Sequence, residues 1–259
     1  MKRHLLALLV LLCATALFAS SYTDSFSYLQ NYPKYVELYD AINNCSSTSE
    51  VDTEYEDLKA SLGTSSKDWT VLLKASLNYA HYLLEIAEKK DTKKAKQLIS
   101  NAEAIYEALE ESVSEGKISV PESNFKALKF TCLTIGYLAS PLSVSKGLES
   151  IKVIDSAFEE YPNEVSIAML YAARKLNAPA IGGGDADEAF RVFSSLLEFI
   201  DSADGANTLP WDRFDIYCNL AKYYEKQKDS SKALELYKKA LDVYPKNKSV
   251  LNAVDKLEK

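Results

Sequence analysis

The sequence predicts an all-α fold: antiparallel helix pairs stacked as a solenoid, about five pairs with a C-terminal capping helix. Three observations lead there. The 259 residues include only 8 Gly and 7 Pro, too few turn-formers for a sandwich or barrel. Of the residues, 47% are apolar and 26% charged, which is globular composition on a chain long enough to bury a sizeable core. Small and aromatic residues recur at helical spacing in segments of roughly 34 residues, the signature of a repeat array.

Taken in order, residues 1–21 read as a signal peptide. Lys2 and Arg3 precede an apolar run from Leu5 to Phe18, and small residues follow. That run is 14 residues, short of the roughly 18–20 a membrane span needs. Ala14 and Ala16, or Ala19 and Ser21, supply the small-x-small cleavage pattern. Export to a periplasm or the exterior is the expectation. Lipid attachment at Cys13 is not, because Leu12 stands where a lipoprotein site takes a small residue. Removing Lys2 and Arg3 takes the formal charge from −7 to −9, which disfavours non-specific binding to nucleic acid or anionic membranes.

The remaining residues, 22–259, divide into a degenerate or capping pair (22–66), repeats at 67–111, 122–162, 164–200 and 213–246, and a polar capping helix at 248–258. The repeat at 213–246 is the best formed. Tyr217, Leu220, Ala221, Tyr224, Ala233, Tyr237, Ala240 and Pro245 stand there at the spacing large, Leu, small, Tyr, small, aromatic, small, Pro. Small residues let two helices approach closely, aromatics fill the space between turns, and the proline ends the second helix.

This spacing resembles the tetratricopeptide repeat, which implies a right-handed superhelix of helix pairs that binds other proteins. Weaker versions of the pattern lie at Tyr79, Tyr82, Leu83, Ile86, Ala95, Ile99 and Ala102; at Cys132, Ile135, Gly136, Ala139, Ser150, Ile154, Ala157 and Pro162; and at Ala168, Tyr171, Ala172, Ala189 and Phe193. The excess residues fall in connections, at Ser112–Glu122, Asn177–Gly184 and Ser202–Leu209, as a solenoid requires. Asp68, Ser140 with Pro141, and Asp229 or Ser230 are the expected helix caps. Gly182–Gly184 followed by Asp185 reads as a tight turn with a cap. It lacks the Lys-Ser/Thr of a phosphate loop, and Asp185 would repel an anion. Gly-Gly-Asp before Ala189 also resembles the periplasmic T-component of tripartite ATP-independent transporters.

The resemblance implies a binding face on the first helix of each pair. The predicted positions are Leu77, Ala80, His81 and Leu84; Phe130, Leu133, Thr134 and Tyr137; Ser166, Met169, Leu170 and Ala173; and Asp215, Cys218, Asn219 and Lys222. Three of the four sets are apolar or aromatic, so an open groove would take a protein segment such as an amphipathic helix. The chain's own N-terminal helices or another subunit would otherwise cover it. The Lys/Asn/Arg set with which chaperone adaptors of the family grip a carboxylate is absent. The transporter resemblance implies the alternative, an accessory that holds an apolar small molecule or lipid.

Chemistry is not expected, nor a cofactor or metal. His81 is the one histidine beyond the predicted leader, with no nucleophile in a defined relation to it. Cys45, Cys132 and Cys218 are expected as free thiols, since Cys132 and Cys218 fall two repeats apart.

Overall fold

The computed structural model describes residues 22–259; the predicted leader, with Cys13, lies outside the described residues. Eleven α-helices make up the described chain, with no strand beyond an isolated bridge between Thr23 and Glu164. They are α1 (Pro33–Asn43), α2 (Thr48–Ser61), α3 (Ser66–His81), α4 (Thr92–Ser114), α5 (Glu122–Ala139), α6 (Val144–Glu160), α7 (Val165–Asn177), α8 (Ala186–Ile200), α9 (Pro210–Lys226), α10 (Ser230–Val243) and α11 (Lys248–Leu257). Consecutive helices pack as five pairs, and the odd-numbered helix of each pair also touches the odd-numbered helix of the next. This is an all-α, tetratricopeptide-like solenoid.

Local chemistry sets the helix ends. Ser47, Asp91, Asp185, Asp229 and Asn247 each accept a backbone N–H in the first turn of the helix they precede. Pro33 and Pro210 open α1 and α9, where a missing N–H costs nothing. Two expected caps move. Ser65, not Asp68, caps α3, and Asp68 returns the favour from the third helical position, its carboxylate accepting from Ser65 N at 3.1 Å. Ser140 closes α5 instead of opening α6; Pro141 lies in the turn and α6 begins at Val144. Helix α4 runs on to Ser114, so its connection to α5 spans only 115–121.

Within the pairs, small residues sit at the closest approaches. Ala95 and Ala102, Ala157, Ala168 and Ala189, and Ala221, Ala233 and Ala240 are all fully buried. Between pairs, an aromatic contact recurs at every junction: Tyr55 with Tyr79, Tyr106 with Phe125, Phe158 stacked on Tyr171 at 3.9 Å, and Phe190 stacked on Tyr223 at 4.4 Å. Each such pair adds about 0.5–1.5 kcal/mol beyond the area it buries. One irregularity has no signal in the spacing: α3 widens into a π turn at Tyr82–Ile86, where Ala87 N–H donates to the Tyr82 carbonyl.

The two ends of the array meet. Trp211 of α9 lies edge-on to Tyr35 and stacked on Tyr39 of α1, with ring centroids 5.7 and 4.6 Å apart. Asn247 Nδ2 donates to the Asn43 carbonyl at 2.6 Å, and Lys248 pairs with Glu88 at 2.6 Å. Five pairs therefore curve far enough for the last to seat on the first, leaving a seam between α1 and α3 on one side and α9 and α11 on the other.

Candidate functional site

The interior enclosed by the odd-numbered helices is filled at one end. The segment Tyr22–Asn31 crosses it at the N-terminal ends of those helices. Thr23 Oγ1 and Ser25 Oγ donate to the Glu164 carboxylate at 2.8 and 2.7 Å, at the start of α7. Ser25 also bonds Asn124 at the start of α5. Tyr22 OH reaches Ser195 of α8 at 3.2 Å, and Lys74 of α3 sits 4.0 Å over the Phe26 ring. The segment brings a charge cluster inside. Burial depresses the Lys74 ammonium and lifts the Asp212 and Asp24 carboxyls, because each is held away from water; the attraction between Lys74 and the two carboxylates opposes these shifts without reversing them.

The sixteen positions predicted for a binding groove consequently separate: Thr134, Ser166 and Leu170 are half-buried, and Asn219 lines a pocket at the seam. Leu77, Ala80, Leu84, Phe130, Met169 and Cys218 are buried in the core. Leu133 and Ala173 are half-buried, and Tyr137 is 38% exposed with its ring against Gly147 of α6. His81, Asp215, Cys218 and Lys222 come together: all four line one pocket of about 310 Å³ at the seam.

Helix α9 builds one wall of this pocket. Asp215, Cys218, Asn219 and Lys222 recur every three or four residues and so share one face. Helix α1 brings Tyr39, Ile42 and Asn43, α3 brings Asn78 and His81, and α11 closes the floor with Ser249, Val250 and Ala253. Asp215 is exposed on the pocket wall, where desolvation by the surrounding protein raises its pKa to about 6 against the opposing pull of Lys222. Burial lowers the His81 imidazole and keeps it neutral at pH 7, and it pushes the Cys218 thiol far up. Tyr39, Asn43, Asn78 and the α11 residues carry no local signal in the sequence; they reach the site only because the ends of the chain meet.

Other candidate features settle plainly. Gly183 takes φ +78°, and a Cβ at Gly184 would collide with the Ala178 carbonyl, so these glycines form the turn that places the Asp185 cap. Cys45, Cys132 and Cys218 are free thiols. Among the described residues no group of three or more His, Cys, Asp or Glu is placed to hold a metal, and no helix is long and apolar enough to cross a membrane.

Apolar surface concentrates elsewhere. Of the seven large apolar side chains exposed on the described chain, Tyr137, Leu138, Leu142, Val144 and Leu148 lie on the α5–α6 hairpin, and Ile181 and Leu251 stand apart. Leu142 is 98% exposed.

Comparison with known proteins gives one match. The tetratricopeptide repeat family matches residues 214–247, which covers the α9–α10 pair except its first turn. No curated protein and no solved structure matches the chain. With that repeat on its last pair and helix pairs throughout, the chain is a tetratricopeptide-repeat-containing, all-helical protein.

Proposed function

We propose that the protein is an exported, non-catalytic scaffold whose protein partner docks on the apolar tip of the α5–α6 hairpin. A tetratricopeptide repeat marks a protein-interaction module in general, and folds of this kind typically serve as scaffolds. One observation carries the finer reading. Five of the seven exposed large apolar side chains of the described chain lie on one hairpin, and such patches mark interaction sites. Leu138, Leu142, Val144 and Leu148 offer the anchor points that the apolar face of an amphipathic helix needs, and Leu133 and Tyr137 extend the surface along α5. Export follows from the leader read in residues 1–21. The alternative, an apolar solute held by a transport accessory, fits the seam pocket poorly, because that pocket presents a carboxylate, an ammonium and four carboxamides.

The test is a photocrosslinking residue placed at Val144 in cells, with Leu251 as the control position. A discrete adduct from Val144 that disappears in the Leu142→Asp, Leu148→Asp double variant is the expected result. No adduct, or one that the double variant leaves undiminished, overturns the reading.

A further inference from the structure

The seam pocket lies far from the hairpin tip in the chain and has a chemistry of its own. Its two charged groups, Asp215 and Lys222, feel each other's field across the pocket but are not in direct contact with any partner. Among the described residues, the Asp215 carboxylate makes no hydrogen bond or ion pair, and neither does the Lys222 ammonium. With its pKa raised to about 6, the Asp215 carboxylate adds nothing to folding when ionised. The two stand seven residues apart on one face of α9, hence about 10 Å along the helix axis. Asn219 on α9 and Asn78 on the facing α3 also line the pocket; their Nδ2 groups donate to the Asp215 carbonyl at 2.8 Å and to Tyr35 OH at 3.4 Å, which leaves their carboxamide oxygens as acceptors. Ile42, Phe214 and Val250 supply apolar wall.

The geometry points to a binding site for a short free peptide of about two residues, its ammonium paired with Asp215 and its carboxylate with Lys222. An extended dipeptide separates its termini by about 7 Å, and the flexible lysine stem spans the difference. Its amide group then falls between the two carboxamides, and one apolar side chain meets the wall. The Phe214 and Tyr39 rings beside Asp215 suit an ammonium, which aromatic faces attract. A volume of about 310 Å³ is at the small end of the range for small-molecule sites, roughly 300–1,000 Å³. Because both charges are used, the site discriminates a free peptide from either terminus of a longer protein. This inference is independent of the hairpin-tip docking proposed above.

Isothermal titration of the purified protein with the dipeptide Ala-Leu, its N-acetyl form and its C-terminal amide tests the site. Ala-Leu binds, and each capped form binds at least about tenfold more weakly, a difference of roughly 1.4 kcal/mol. In Asp215→Asn the N-acetyl form no longer differs from the free peptide; in Lys222→Met the amide no longer differs. Far-UV circular dichroism confirms that both variants stay helical. Three results each overturn the inference: no binding of Ala-Leu at 10 mM, a scale set by the weakest useful affinities, about 1 mM; capped forms that bind as well as the free peptide; or variants that discriminate the caps as the wild type does. Binding of the N-acetyl form alone would show a site for the C-terminus of a protein, which also refutes it.

Discussion

The last helix pair and the first face each other across the seam, yet they are held by different kinds of information. In α9–α10 the contacts join residues close in sequence. Ala221 and Ala233 are twelve positions apart and both fully buried, Asp229 caps the second helix, and Tyr237 OH donates to Glu225 at 2.6 Å. Such a pair announces itself in its spacing, and the tetratricopeptide repeat family matches it. In α1–α2 the anchoring residues are aromatic, and those of α1 answer to a distant partner: Tyr35 and Tyr39 both pack on Trp211. A pair that closes an array is shaped by what it closes against, so its own repeat pattern is free to degrade.

The largest effect that distinguishes the two regions is expected at Trp211→Ala. This side chain is 4% exposed and lies between two tyrosines from the opposite end of the chain, so its loss should cost about 3–5 kcal/mol in urea denaturation. A loss below about 1 kcal/mol would mean that the seam is a passive contact and that the pairs stand without it. Overpacking inside the last pair comes next. Ala233→Leu should destabilise by about 1–3 kcal/mol in the same measurement, because a fully buried alanine leaves no room between α9 and α10. A neutral result would show that the pair tolerates separation and that the alanine spacing is not a packing requirement.

The smallest effect sharpens the comparison at the pocket between the regions. The folded pKa of Asp215 is raised from 3.8 to about 6. The folded state therefore holds that proton more tightly than the unfolded chain. Stability from this group is fully present below about pH 4 and is lost as pH rises through 6. Asp215→Asn should accordingly melt higher than the wild type at pH 7, with the gap closing as pH falls towards 4. A variant that melts lower at pH 7 would give Asp215 a structural task.

The aromatic junctions show how far sequence reasoning reached and where it stopped. Tyrosines spaced as packing residues are legible in the sequence: Tyr171 stacks on Phe158 of the preceding helix pair, and Tyr224 meets Phe190 edge-on at 5.8 Å, whereas Tyr223, which stacks on Phe190, is not among them. Their partners Phe158 and Phe190 carry no mark that distinguishes them from ordinary core residues. The shifted caps have a similar origin. Asp68 and Ser65 are both cap-forming types three positions apart, and only the backbone decides which one stands outside the helix. The filled interior was beyond reach, because Ser25 and Glu164 are 139 residues apart and no local pattern couples them.

By itself the sequence determined the helices, their pairing and the tetratricopeptide character of the last pair. These depend on periodicity, caps and small-residue spacing within about 34 residues, and such short-range terms act whatever the rest of the chain does. Tertiary structure alone decided that the array curves until its ends meet, that Tyr22–Asn31 occupies the interior, and that His81 joins Asp215, Cys218 and Lys222 in one pocket. Curvature accumulates from small rotations at each junction between pairs. No single segment encodes that sum, and it is the sum that places one end of the chain against the other.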